Sequence, residues 1–202
     1  MPRPAPRTAG HALALVGAIA ALAALSPAAS AQAPALRVHA IFAGGRGASF
    51  HVGEVLQVDV RNAGGRTLSQ VCLSPEPIAR PACSAARNVA PSQPGPATVT
   101  ATLIDGTRFT RTFTIHAAAT RIGGPRAVPA TIRCQDVTLF GNFDRRRQRS
   151  LTPIEVVRAG TRIALYNRIG PNRIFMWDYA NNRGGFAVES CAQPGRLRKV
   201  GS

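Results

Sequence analysis

Arg145, Arg146, Arg147 and Arg149 place four arginines within five residues, the densest positive charge in the chain. A guanidinium binds carboxylate or phosphate through two parallel hydrogen bonds. A loop carrying this run is therefore a candidate grip on an anionic polymer, and a solvated loop is the plainer alternative. Trp177 and Tyr179 supply a second kind of chemistry. On an extended strand they share one face with Phe175, while Met176 and Asp178 take the other. That arrangement makes either an aromatic ledge for a peptide or sugar, bordered by arginines, or a Trp177 that fills the core of a small barrel.

Catalytic patterns are absent from the sequence. It holds no Gly-x-Ser-x-Gly elbow, no His-Glu-x-x-His zinc helix and no phosphate loop. His39, His51 and His116 all fall in or beside expected strands, where exposed or edge-strand histidines are a better reading than a metal site. The acids, among them Asp136, Asp144, Asp178 and Glu189, are scattered rather than paired, as a glycosidase would need them. The expectation is a non-enzyme without metal or other cofactor.

The elements that must position these residues follow from composition. Arg3 and Arg7, an apolar run over 11–25 and Ala29-Ser30-Ala31 form the three parts of a secretory signal peptide, residues 1–31. The mature chain then starts at Gln32, outside the cytoplasm, with no membrane span after cleavage. The formal charge of the whole chain is +16. Such a charge attracts acidic glycans, teichoic acids and anionic surfaces, and salt weakens the attraction. Nucleic acid fits the charge, but export argues against a physiological role for it. In an exported chain Cys72, Cys83, Cys134 and Cys191 read as disulfides. Four cysteines allow three pairings; the simplest is Cys72–Cys83 with Cys134–Cys191, one bridge in each half.

Short alternating segments dominate the rest. Residues 36–42, 55–60, 67–73, 97–104 and 109–115 read as strands, with Asp105-Gly106 as a hairpin turn. Arg111 falls on the apolar face of its strand, which requires either a bulge or a sheet edge. Residues 117–130 carry Gly-Gly and two prolines and read as a linker. Strand patterns resume at 137–140, 154–157, 163–166, 174–179 and 186–188, and residues 194–202 form a basic tail.

The strand rhythm of residues 32–116 resembles an immunoglobulin-like domain. Residues 131–193 resemble a bacterial Src-homology-3-like domain. The carrying residues are Val156 to Ile163 (strand, turn Gly160, strand), Trp177-Asp178-Tyr179-Ala180 and Gly185-Phe186-Ala187-Val188. The resemblance implies an all-β chain in which an antiparallel sandwich precedes a small β-barrel. The expected task is non-catalytic attachment, in the cell envelope or outside it, to an anionic envelope polymer or peptidoglycan peptide. Arg145, Arg146, Arg147 and Arg149 would supply charge, and Trp177 and Tyr179 stacking. The alternative is a structural module pairing with another exported protein through a sheet edge such as residues 36–42.

Overall fold

The computed structural model describes residues 32–42, 49–144, 149–150 and 152–195, with backbone alone at 143, 144, 149 and 150. The signal peptide, Arg145 to Arg147 and the basic tail beyond Gly195 lie outside the described residues. Among the described residues the regular structure is strand, with one 3-10 turn at Glu189–Cys191. The chain is all-β.

The first half contributes β1 (Ala35–Ala40), β2 (Phe50–His51), β3 (Leu56–Arg61), β4 (Leu68–Ser74), β5 (Cys83–Ser84), β6 (Asn88–Val89), β7 (Gly95–Leu103) and β8 (Arg108–His116). They form a three-stranded sheet, β1-β3-β6, and a five-stranded sheet, β2-β8-β7-β4-β5. The inward residues of both sheets meet in one core, with Val38, Leu56 and Val58 from one and Val71, Leu73, Val99 and Ala101 from the other. This is what the alternation in β3 and β7 demands, since every second residue must leave water. Between β7 and β8 the register runs unbroken from Gly95↔Ile115 to Thr102↔Arg108. Arg111 therefore needs no bulge. β2 covers β8 only at Ile115 and His116, so Arg111 stands on a stretch of β8 that forms the sheet edge.

The second half contributes β9 (Val128–Ile132), β10 (Asp136–Phe140), β11 (Phe143–Asp144), β12 (Arg149–Ser150), β13 (Pro153–Arg158), β14 (Arg162–Gly170), β15 (Arg173–Asp178), β16 (Arg183–Val188) and β17 (Ala192–Pro194). All but β11 and β12 join one seven-stranded sheet, β13-β10-β16-β15-β14-β9-β17. One face curls over its own core of Val137, Leu139, Val157, Leu165, Ile174 and Met176. β13 and β14 are consecutive in the chain but do not pair: β10 takes the first, and β9 and β15 take the second.

The segment read as a linker, 117–130, ends inside this sheet. β9 starts at Val128 and lies between β14 and β17, with Pro129 opposite Ala164. Pro129 gives up a donor, but its carbonyl accepts the N–H of Gly195 at 3.2 Å. Both expected disulfides are formed, Cys72–Cys83 and Cys134–Cys191. The second spans a sequence separation of 57, a loop whose closure removes about 4 kcal/mol of unfolded-state entropy.

Candidate functional site

Strand parity divides the seven-stranded sheet into two faces. Leu139, Ile163, Leu165, Ile174 and Met176 point into its own core. Tyr166, Phe175 and Trp177 point the other way, and Phe186 joins them because it pairs with Phe175. Gly184 makes this aromatic row fit. A Cβ at that position would stand 2.6 Å from both the Phe175 and the Trp177 rings.

The first half covers the near end of the row. The Phe42 ring centroid lies 4.9 Å from Tyr166, 4.7 Å from Phe175 and 5.7 Å from Trp177. Val55, Ile78 and Ala90 complete a shared core with Ala164, Tyr166 and Tyr179. The Tyr179 hydroxyl donates to the Gly53 carbonyl at 2.5 Å, and the Val55 N–H donates to the Tyr166 hydroxyl at 3.4 Å. Burial pushes both phenols above their ordinary pKa. Gly53 is confined from two sides: its φ is +82°, and a Cβ there would lie 2.4 Å from Pro129 Cγ. The buried carboxylate of Glu54 is held by Arg126, at 3.2 Å and 3.4 Å from its two oxygens, and accepts the His51 N–H at 3.0 Å. Arg126 also donates to the Ser49 carbonyl at 2.9 Å. Residues 49–55 thus form the hub of a seam between the halves.

Past the seam the same face stays open. Phe140 pairs with Phe186, and both are half-buried. β10 then pairs with the edge strand β13, whose Val156 is opposite Thr138. Val156 is 59% exposed and Ile154 38%. The result is an apolar shelf running from the seam to the edge strand β13. The β11–β12 hairpin rises from the end of this shelf, where Gly141 N–H donates to the Thr152 carbonyl and Thr152 N–H to Asn142 Oδ1. Asp144 pairs with Arg149 across that hairpin, and Arg145, Arg146 and Arg147 lie between these two in the sequence.

Of the residues expected to bind, Trp177 and Tyr179 do share one face. Both stand at the seam. Trp177 is half-buried, and Tyr179, at 4% exposure, has no open ring face for stacking because its hydroxyl is committed to the first half. Arg149 is placed by its backbone in β12, while Arg145, Arg146 and Arg147 lie outside the described residues. His51 and His116 come together, with ring centroids 5.2 Å apart. His39 sits elsewhere, on β1 opposite Gln57. Among the described residues no three metal-ligating side chains cluster.

The shelf residues Phe140, Ile154 and Val156, and the seam residues Phe42, Glu54 and Arg126, were not legible as a site. The one sequence signal among them is the pair of apolar residues, Ile154 and Val156, on the outward side of β13. A separate cleft of about 720 Å³ opens between the halves, walled by Val52, Pro94, Ala118, Val128, Pro129 and Pro194. Comparison with protein-family models, curated proteins and solved structures gives no match.

Proposed function

We propose that this chain is an exported, non-catalytic binding protein that attaches to an anionic envelope polymer or peptidoglycan peptide. In this reading the first half is an immunoglobulin-like sandwich and the second a Src-homology-3-like barrel left open at one side. The observation that carries the proposal is the shelf: an apolar sheet face that runs out to the edge strand β13 and ends where the β11–β12 hairpin begins, with the arginine run between those two strands in sequence. A ligand that offers methyl and carboxylate or phosphate groups together, as a peptidoglycan stem peptide does, would lay the first on Phe140, Phe186 and Val156. It would give the second to Arg145, Arg146, Arg147 and Arg149. Trp177 lines the shelf's inner end, and Tyr179 acts by fixing the seam behind it. The overall charge of +16 adds long-range attraction that salt screens.

The test is co-sedimentation with purified cell-wall sacculi, with and without teichoic acid, across a salt series. Binding should fall with salt. Replacing the four arginines by Gln should flatten that dependence, and Val156→Glu should weaken binding at every salt concentration while leaving thermal stability within about 0.5 kcal/mol. Unchanged affinity and salt slope in both variants would overturn the proposal. A second reading rests on the same edge: β13, with Ile154 and Val156 exposed, is suited to pair with a strand of another exported protein. Then Val156→Glu would abolish capture of that protein, and the arginine variant would behave as wild type.

A further inference from the structure

β2 is a two-residue strand that pairs in parallel with the end of β8, Phe50 against Ile115 and His51 against His116. Phe50 and Ile115 are buried in the sandwich core. Residues one step along a strand point to the opposite face, so His51 and His116 project together from the outer side. Their ring centroids are 5.2 Å apart, with an angle of 44° between the planes. Nδ1 of His51 is shielded from solvent and has no hydrogen-bond partner. The His116 residue is exposed.

Neutral imidazole nitrogens are good ligands for late first-row metal ions, and two rings side by side on adjacent strands can share one ion. The local charge is close to balanced. Glu54 lies beside His51 and accepts its backbone N–H at 3.0 Å, and the positive charge of Arg126 is matched against that carboxylate at 3.2 Å. An arriving cation therefore meets two imidazoles and an ion pair rather than an unopposed arginine. The set contains nitrogen donors without a ring of carboxylates, which is the wrong chemistry for magnesium or calcium.

We propose that His51 and His116 form a two-imidazole site for a divalent late transition metal ion, copper, nickel or zinc, with water completing the coordination. The site is independent of the shelf and of any envelope ligand. Because His51 opens the segment 51–55 that holds the seam, a bound ion would tie β8 to that hub and stabilise the folded chain by mass action.

The experiment is titration calorimetry of the purified protein with nickel, zinc and copper chlorides, with magnesium chloride as control. One ion should bind per chain, copper more tightly than nickel or zinc, and magnesium should give no heat. His116→Gln should weaken nickel binding by at least the roughly tenfold to hundredfold that even an outer-sphere change costs a metal site. His51→Gln should do the same, and His39→Gln should change nothing. Melting curves without metal identify any variant that has lost its fold. In the wild type, paramagnetic nickel should broaden the ring resonances of His51 and His116 and spare those of His39. The absence of saturable binding, binding that survives loss of both histidines, or broadening centred on His39 would each overturn the proposal.

Discussion

Arg126→Met is the sharpest perturbation of the seam. The Glu54 side chain is 1% exposed and that of Arg126 22%. Arg126 sends Nη1 to both Glu54 oxygens and to the Ser49 carbonyl, and Nη2 to Ser49 Oγ at 3.2 Å. Methionine keeps much of the stem's apolar contact but leaves the buried carboxylate with the His51 N–H alone. Breaking one side of a buried ion pair costs about 3–5 kcal/mol, a large share of the roughly 5–15 kcal/mol that holds a domain folded. Glu54→Gln is milder, about 1–3 kcal/mol, because a neutral amide still accepts hydrogen bonds and Arg126 can lean into water. The double variant has no stranded charge, so its loss should fall short of the sum of the singles by about 2 kcal/mol, within the range found for residues in one network. Equilibrium urea unfolding measures all four corners of the cycle with the disulfides intact. The chain has one tryptophan, Trp177, and it stands at the seam, so its fluorescence reports undocking while circular dichroism reports the strands. A loss under about 1 kcal/mol for Arg126→Met, or additivity within about 0.5 kcal/mol, would refute the view that this pair holds the halves together.

Two further outcomes follow from the geometry. Gly53→Ala should lose at least about 3 kcal/mol in the same assay. A Cβ there combines a strained positive φ with a contact of 2.4 Å to Pro129 Cγ, and it stands 3.0 Å from the Tyr179 hydroxyl. Gly64→Ala, at φ +62° with nothing within 4 Å, should cost only its backbone strain; equal losses at the two sites would refute the packing argument. At the β7–β8 turn, the Thr107 backbone N–H, then the Thr107 hydroxyl and Arg66, lower the Asp105 carboxyl to about 2. A folded pKa below the unfolded one gives stabilisation that is complete above the ordinary carboxylate range and is lost as pH falls toward 2. NMR titration of the Gly106 and Thr107 amides should show that midpoint, and one near the ordinary value of 3.8 would be inconsistent with the turn as described.

The strands were legible wherever a single buried face imposed a period of two. β7 alternates buried Ala97, Val99, Ala101 and Leu103 with half-exposed threonines, and β15 alternates buried Ile174 and Met176 with Phe175 and Trp177. β9 was hidden because Val-Pro-Ala-Thr-Ile lacks polar alternation: its first three residues are buried on both faces, one under the first half and one in the sheet's own core. Residues 117–127 connect β8, in the five-stranded sheet, to β9, in the seven-stranded one. What the local pattern hides is the pairing of residues distant in sequence. Nothing local ties Glu54 to Arg126, 72 residues away, or Gly53 to Tyr179 at 126. The same gap explains Tyr179, which follows the end of β15: sequence could not show that the first half already covers its ring.

The two ends of one sheet face argue for where a ligand can bind. At the covered end four polar side chains bond across the seam: Tyr179 with Gly53, Tyr166 with Val55, Arg162 with the Ile78 carbonyl at 2.9 Å, and Asn88 with Asn182 at 3.2 Å. Buried polar groups satisfied in this way mark an interior, because each would be stranded if the halves separated. At the open end Ile154 and Val156 stay exposed on an edge strand that is paired on one side only. Opening the seam to admit a ligand would break several hydrogen bonds and uncover Phe42, Phe175 and Trp177 together, whereas seating a ligand on the outer shelf breaks none of them. On the proposed reading, a polymer or partner strand docks along β13 and β10 on the outside, with the seam closed throughout.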